Sequence, residues 1–445
     1  MLLLNLSKKT FISSVLLSSI LLSGVAHADA KIFKIKAKPV DEVKVEAVKE
    51  ENVVTIDAEI MAKEALKKQP SSKKSVKKAA RKIAAKKISA PEKKMVSAVP
   101  VSSASAAAYD EYGISVEENF FSKSSGDVPV HVIRVDLNKG MVNPKIVLAE
   151  DNKLGSKGTL PQICKNYDAV AGINGSFFDM KTYAAVGYLM INGRAIQAPL
   201  IVKARTTFGI TFDNKVMIGK PKFRRRIRPE NDFFSMIDGI NKKCGFGEIV
   251  IYTSDYAKKV TVPKGGIGYI FDEAGMVTSL VKNESLIPEQ GGLLVVSEEH
   301  LHRFKNTQAG TKIFFTQSLM SPWDQVRDAF GSGMLLVTDG KITFDQSREE
   351  VGRYLMGDAP RTAIGITAGN ELVMAVADGR TSRYRGVDFD ELAQIMIDCG
   401  CSDAIALDGG GSSTLVYKGD VINEPSEKGG LRKIANALVL LKADK

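Results

Sequence analysis

The stretch Phe389-Asp390-Glu391-Leu392-Ala393-Gln394-Ile395-Met396-Ile397-Asp398-Cys399-Gly400, followed by Asp403-Ala404-Ile405-Ala406-Leu407-Asp408-Gly409-Gly410-Gly411-Ser412-Ser413, decides the fold class. In its first part Leu392, Ile395, Met396 and Cys399 fall on one helical face, and Gly400 supplies a C-terminal stop. Its second part is an apolar run of strand length that ends on a carboxylate and three glycines. An earlier segment echoes this order: Leu160-Pro161-Gln162-Ile163, then Asp168-Ala169-Val170-Ala171-Gly172-Ile173-Asn174-Gly175-Ser176. A second echo sets Arg205-Thr206-Thr207-Phe208-Gly209-Ile210-Thr211 beside Arg361-Thr362-Ala363-Ile364-Gly365-Ile366-Thr367. An internal duplication would place Asn174 and Asp408 at related positions facing one cleft. Shared strand-and-turn grammar would give the same echo without one, and the units differ in order between the halves.

Outward from these segments, apolar runs of strand length alternate with Gly and Asn/Asp turns from Tyr109 to the C-terminus. They include Val128 to Val135, Gly187 to Ile191, Glu248 to Tyr252, Gly292 to Val296, Leu372 to Ala377 and Ala437 to Leu441. Helical periodicity is clear at Phe389 to Cys399 and, over a shorter span, at Leu160 to Tyr167. Many strands with a few helices predict an α+β domain over residues 108–445 built on a strand-rich mixed sheet.

The 445 residues carry 62 Lys and Arg against 51 Asp and Glu, a formal charge of +11. Of these, 21 basic and 10 acidic residues precede position 108, which leaves 41 of each in the remainder. The predicted domain is therefore neutral, and the excess charge lies wholly ahead of it. Lys8 and Lys9, the apolar run Phe11 to Val25 and the small residues Ala26 and Ala28 read as an export signal over residues 1–28. The run is too short and too rich in serine for a membrane span, so no transmembrane segment is expected once the signal is cleaved, and the chain is expected in a periplasm or outside the cell. Residues 29–107 are rich in Lys, Ala, Val and Glu, with almost no aromatic residue, and read as a disordered tether. Lys77 to Lys87 could form a transient basic helix on an anionic envelope surface, with a solvated linker as the plainer reading. Nucleic acid is not an expected partner, because the segment lacks interleaved aromatics for stacking bases.

Chemistry is expected where strands end in glycine, since bare backbone lets a ligand approach N–H groups. Asp408-Gly409-Gly410-Gly411-Ser412-Ser413 is the strongest such place, with Asp408 at a strand end and Gly409, Gly410, Ser412 and Ser413 able to surround an anionic or hydroxyl-rich group. Asn174-Gly175-Ser176-Phe177-Phe178-Asp179 gathers an amide, a hydroxyl, aromatics and a carboxylate, a set suited to a sugar ring. Arg361-Thr362 opens a strand, where a guanidinium could clamp phosphate or form a structural ion pair. Asp378-Gly379-Arg380 offers a further strand-end carboxylate, or simply a turn. Beyond the signal only His131, His300 and His302 remain, none within these motifs, which leaves acid–base work to carboxylates. Two disulfides are conceivable among Cys164, Cys244, Cys399 and Cys401, as are buried thiols. Phe223-Arg224-Arg225-Arg226-Ile227-Arg228 reads as a solvated basic loop, with a lip for an anionic substrate as the second reading.

Ile173-Asn174-Gly175-Ser176-Phe177-Phe178, Pro360-Arg361-Thr362-Ala363-Ile364-Gly365, Asp378-Gly379-Arg380 and Leu407-Asp408-Gly409-Gly410-Gly411-Ser412-Ser413-Thr414 resemble, in order, the signature blocks of the phosphodiester glycosidase family, some of whose bacterial relatives are described as exopolysaccharide-associated. Ser176 departs from the small residue, often glycine, usual at its place, and Arg205-Thr206 duplicates a motif normally noted once. The resemblance implies hydrolysis of a sugar–phosphate glycosidic bond in an envelope or extracellular glycan. On that basis Asp408 and Asp378 are expected to share the roles of nucleophile or water-activating base and of stabiliser of the anomeric carbon. Asn174 and Asp179 would position the sugar, Arg361 and Thr362 the phosphate, and Ser412 and Ser413 the remaining hydroxyls. The sequence requires no cofactor; a divalent cation shared by Asp378, Asp408 and Asn174 is an added expectation. A catalytically silent glycan-binding envelope module using the same cleft is the alternative. Deletion of residues 31–107 is expected to leave turnover of a small soluble substrate nearly unchanged and to weaken retention at the cell envelope, measured by fractionating cells that express each form.

Overall fold

The computed structural model describes residues 108–150, 153–198, 205–256, 259–347, 352 and 355–443. The expected signal (1–28), the tether (29–107) and the basic helix at Lys77 to Lys87 lie outside these residues. Among the described residues no helix is long and apolar enough to cross a membrane.

The fold is α+β and strand-rich. Its largest sheet has eleven strands, and its core runs in the order Ile114–Phe121, Val128–Asp136, Glu371–Ala377, Arg361–Thr367, Cys401–Ala406, Val326–Thr338, all pairs antiparallel. A five-stranded antiparallel sheet follows the order Asp420–Val421, Leu415–Tyr417, Ala169–Asn174, Asn436–Lys442, Val142–Leu148. Two helices complete this part, α1 at Leu160–Asn166 and α2 at Phe389–Asp398.

Side-chain alternation shows how these pieces stack. Along Glu371–Ala377, Leu372, Met374 and Val376 join a core that also holds Ile173, Leu415, Leu438 and Leu440 of the five-stranded sheet. Their neighbours Val373, Ala375 and Ala377 pack instead with Phe389, Leu392, Ala393 and Met396 of α2. On the far side of the smaller sheet, Val147, Val416 and Val439 pack with Leu160, Ile163 and Cys164 of α1. The layers therefore run α2, large sheet, small sheet, α1, and both sheets are covered on both faces. Strands covered on both faces read as unbroken apolar runs, which is why Leu372 to Ala377 and Ala404 to Leu407 stand out in the sequence. The two echoed helix–strand units form corresponding outer halves of this sandwich, each helix lying on the outer face of the sheet that holds its strand.

Both helices carry their own start signals. Asp388 caps α2 by accepting from Glu391 N at 2.8 Å, while Glu391 Oε2 accepts from Asp388 N at 3.0 Å. Thr159 and Gln162 form a capping box at α1, with Pro161 in its first turn. Gly400, at φ +79°, ends α2 as expected.

A further region between residues 223 and 319 carries a five-stranded sheet and a three-stranded one. Here the structure corrects one expectation. Phe223–Pro229 is a strand, not a solvated loop, paired on both sides by Ile313–Leu319 and Ser235–Met236. Arg225 and Ile227 point into the core while Arg224, Arg226 and Arg228 stay exposed. The period-two signal was hidden because an arginine occupies an inward position. The strand Val142–Leu148 was masked in a similar way by Pro144, which is tolerated because this is the last strand of its sheet. All four cysteines are buried free thiols.

Ile405 is fully buried between the two sheets. Ile405→Ala is expected to cost about 2–4 kcal/mol, read as a lower denaturant midpoint with an unchanged slope.

Candidate functional site

The ends of the two echoed strands meet. Asn174, the last residue of its strand and fully buried, donates from Nδ2 to the Asp408 carbonyl at 2.7 Å. Its Oδ1 accepts from Thr362 Oγ1 at 3.0 Å and from Thr414 N at 3.1 Å. Thr362 Oγ1 also lies 3.1 Å from Ser413 Oγ, and Asp408 N reaches the Gly175 carbonyl at 3.2 Å. Beneath this, Asn436 Oδ1 accepts from Ser176 N at 2.9 Å. A β-carbon at Gly175 would overlap Asn436 Oδ1, so only glycine allows that contact.

The three consecutive glycines serve three different contacts. A β-carbon at Gly409 would lie 2.9 Å from the Pro360 carbonyl oxygen. Gly410 adopts φ +63°, and the Arg380 guanidinium lies where its β-carbon would be, at 2.8 Å. At Gly411 a β-carbon would overlap the ion pair between Arg432 and Glu427. Two guanidinium groups thus lie directly against the turn that follows Asp408.

Asp408 itself is half-buried. Burial pushes its carboxyl up to about 6, against the opposing pull of Ser412, Arg432 and the Gly409 N–H. Such a carboxylate is ionised at neutral pH and yet a stronger base than an ordinary aspartate.

Asp378 is almost fully buried, and both its oxygens are engaged. Oδ2 lies 2.9 Å from His131 Nε2 and accepts from Glu424 N at 3.2 Å. Oδ1 accepts from Asn423 Nδ2 and Glu424 N, each at 3.1 Å. Asn423 Nδ2 also reaches the Ser413 carbonyl at 3.3 Å, which links Asp378 to the Asp408 network. His131 lies outside the sequence motifs, a polar residue in the apolar run Val128 to Val135. Asn423 and Asn436 carry no motif signal either, since their bonds to Asp378 and Ser176 join residues far apart in sequence.

Of the expected ligands, Asn174, Thr362, Ser412 and Ser413 are buried in this network, and two more are placed otherwise. Arg361, expected to clamp phosphate, is buried and directs Nε to the Val387 carbonyl at 3.1 Å. Its Nη2 reaches the Leu355 and Gly357 carbonyls at 2.6 and 2.7 Å, and its guanidinium stacks 3.9 Å from the Phe389 ring centre. Burial, with Arg380 nearby, lowers it to about 10. The exposed guanidinium of this corner belongs to Arg380, at φ +55°. Asp179 is exposed and holds its own turn, accepting from Thr182 N at 2.8 Å and Lys181 N at 2.9 Å, which draws its carboxyl below the ordinary range.

The donors expected to share a divalent cation do not suit one. Asn174 Oδ1 already accepts two hydrogen bonds, and Asp378 is saturated by its neighbours. Asp358, Asp388 and Glu391 do converge elsewhere. There Lys123 Nζ lies 2.6 Å from Glu391 and 3.2 Å from Asp358. Although burial opposes its charge, these carboxylates raise the pKa of the Lys123 ammonium, which serves as the local cation.

Residues 260–441 match the family model described as phosphodiester glycosidase. The human N-acetylglucosamine-1-phosphodiester alpha-N-acetylglucosaminidase is 32% identical over 99 residues, 22% of this chain and 19% of that protein. An uncharacterized prophage-derived protein of Bacillus subtilis is 35% identical over 101 residues, 23% of this chain and 15% of that protein. The chain thus spans about a fifth or less of the length of these relatives. Among solved structures, a protein from Synechocystis superposes with a TM-score of 0.66 at 18% identity, covering 74% of this chain and 62% of its own. One from Burkholderia pseudomallei gives 0.61 at 18%, covering 72% and 75%. These two likenesses concern the fold alone.

Because the folded-state pKa of Asp408 is raised, its contribution to stability is present below about 4 and lost as pH rises through about 6. Asp408→Asn is therefore expected to melt several degrees higher than the parent at pH 7.5, with the gap closing towards pH 4. Thermal unfolding across that range checks it.

Proposed function

We propose that this chain is an exported hydrolase that cleaves the glycosidic bond between a sugar and a phosphate in a sugar-1-phosphodiester of an envelope or extracellular glycan. The observation that carries this reading is the Asp408 carboxylate, half-buried and raised to about 6, beside a glycine turn flanked by Arg380 and Arg432. The family match over residues 260–441 supports the reaction class.

In this reading Asp408 takes a proton from water as the water oxygen bonds to the anomeric carbon. The anomeric carbon–oxygen bond breaks, and its electron pair leaves on the phosphate oxygen. Phosphate is a good leaving group and needs its charge held more than it needs a proton, a task suited to the Arg380 guanidinium and the N–H groups of the glycine turn. The buried hydroxyls of Thr362, Ser412 and Ser413 support the Asp408 turn from within. Arg361 acts at one remove, fixing the 355–357 loop and the start of α2. Asp378 orients His131 and Asn423, and through Asn423 the turn that carries Ser413. Asn174 holds the Asp408 backbone in place.

A nitrophenyl-sugar phosphodiester is expected to be hydrolysed with an activity limb that rises with pH through about 6, because the ionised Asp408 is the working form. Asp408→Asn should abolish turnover, and Arg380→Gln should lower kcat/KM by roughly 10²-fold. Full activity in Asp408→Asn would overturn the assignment. Glycan binding without turnover by the parent chain, across a panel of sugar-1-phosphodiesters, would identify a binding module instead.

A further inference from the structure

The strand Phe223–Pro229 has an outer face that the catalytic reading does not use. Arg224, Arg226 and Arg228 stand on it in alternation, all exposed, with buried Arg225 and Ile227 facing inward. Successive outward side chains leave a strand about 7 Å apart, so the three arginines follow one another at even intervals along one face, Arg226 leaning towards Phe234 on one side and Arg228 towards Phe314 on the other. Across the ladder their partners are Ser318, Thr316 and Phe314, in the same order. No carboxylate answers them: among the described residues none of the three arginines forms an ion pair with an acidic side chain. The neighbouring aromatics reinforce the row. Arg228 stacks 5.1 Å from the Phe314 ring centre and Arg226 5.7 Å from that of Phe234. Lys312 Nζ sits 5.7 Å from Phe314 as well.

Like charges in a row weaken a sheet unless something of opposite sign covers them. Their even spacing along the strand matches a linear polymer with one anionic group per repeat. The hydroxyls of Ser318 and Thr316 on the adjoining rungs suit sugar units lying between those groups. Nucleic acid fits less well, because bases stack on open ring faces, whereas Phe234 and Phe314 already carry cations. We infer that this face holds a phosphodiester-linked glycan polymer, one phosphate to each outward arginine, while another part of the chain's substrate is cleaved. The choice of polymer rests on the proposed function, and the row of charges does not.

The test uses full-length chain in an Asp408→Asn background, so that polymer is not consumed, and a poly(hexosamine-1-phosphate) of ten repeats as probe. The Lys-rich N-terminal segment is present in every variant, so differences report the face. Replacing Arg224, Arg226 and Arg228 together by Gln is expected to weaken binding by roughly 30-fold or more at low salt, and to reduce the salt slope by about two to three. The matching triple Lys variant should recover most of the salt slope and only part of the affinity, since the charge returns without the fork geometry; it also serves if the Gln variant fails to fold. Unchanged affinity and slope in the folded Gln variant would overturn the inference. So would tighter Arg-dependent binding to oligo(dT), which would mark a nucleic-acid face, or to phosphatidylglycerol vesicles, which would mark a lipid surface. Turnover of the small nitrophenyl substrate by the triple Gln variant with Asp408 intact is read separately. Turnover with no Arg-dependent polymer binding defeats this inference alone; Arg-dependent binding without turnover defeats the catalytic reading alone.

Discussion

The Asn174 carboxamide uses both of its ends to join two sheets: Nδ2 holds the Asp408 carbonyl, while Oδ1 takes the Thr362 hydroxyl and the Thr414 N–H. Thr362 and Asp408 belong to the large sheet and its outgoing turn, Asn174 and Thr414 to the small sheet and its incoming one. An aspartate could not donate to the carbonyl, and a longer side chain would not fit a fully buried site. The carboxamide therefore sets where the strand Cys401–Ala406 ends, and with it the position of the Asp408 carboxylate. Asn436 performs a similar service one strand away, through the Ser176 backbone.

Around that bridge the site is built largely from backbone. Gly409, Gly410 and Gly411 let a carbonyl, a guanidinium and an ion pair come close to the main chain, each excluding a side chain for its own reason. Arg361 supplies the opposite device, a buried cation that gathers carbonyls from two segments and stacks on Phe389. Its charge is satisfied by dipoles, with the carboxylates Asp358 and Asp388 close enough to oppose the effect of burial. The exposed Arg380 nearby is thereby left for work that requires contact with solvent.

Much of the architecture was legible because both sheets are covered on both faces. Strands such as Glu371–Ala377 and Asn436–Lys442 appear as bounded apolar runs, and α2 announces itself through its apolar face and Gly400. Legibility failed where a polar residue occupied an inward position, as with Arg225, or where proline sat on an outer strand, as with Pro144. In the candidate site, the strand-end rule singled out Asp408 and Asn174, the strand opening Arg361-Thr362 singled out Thr362, and the structure brings the three together. Neither signal could say which way a guanidinium turns. Arg361 and Arg380 both follow motif signals, yet one is drawn inward by the Leu355, Gly357 and Val387 carbonyls and the other left outside. That difference depends on the 355–357 and Val387 backbones, which no local pattern encodes. His131 and Asn423 were invisible for the same reason, their partner Asp378 being far away in sequence.

Lys123 lies in the turn between the first two strands of the large sheet and inserts its ammonium between Asp358, on the loop that receives Arg361, and Glu391, in the cap of α2. A free ion in that position could exchange with the surroundings and would leave the corner sensitive to their composition. An ammonium fixed to the backbone cannot be washed out, so the junction carries its counter-ion with it wherever the chain travels. The loop that receives Arg361 is therefore held by the chain's own charges, whatever ions surround it.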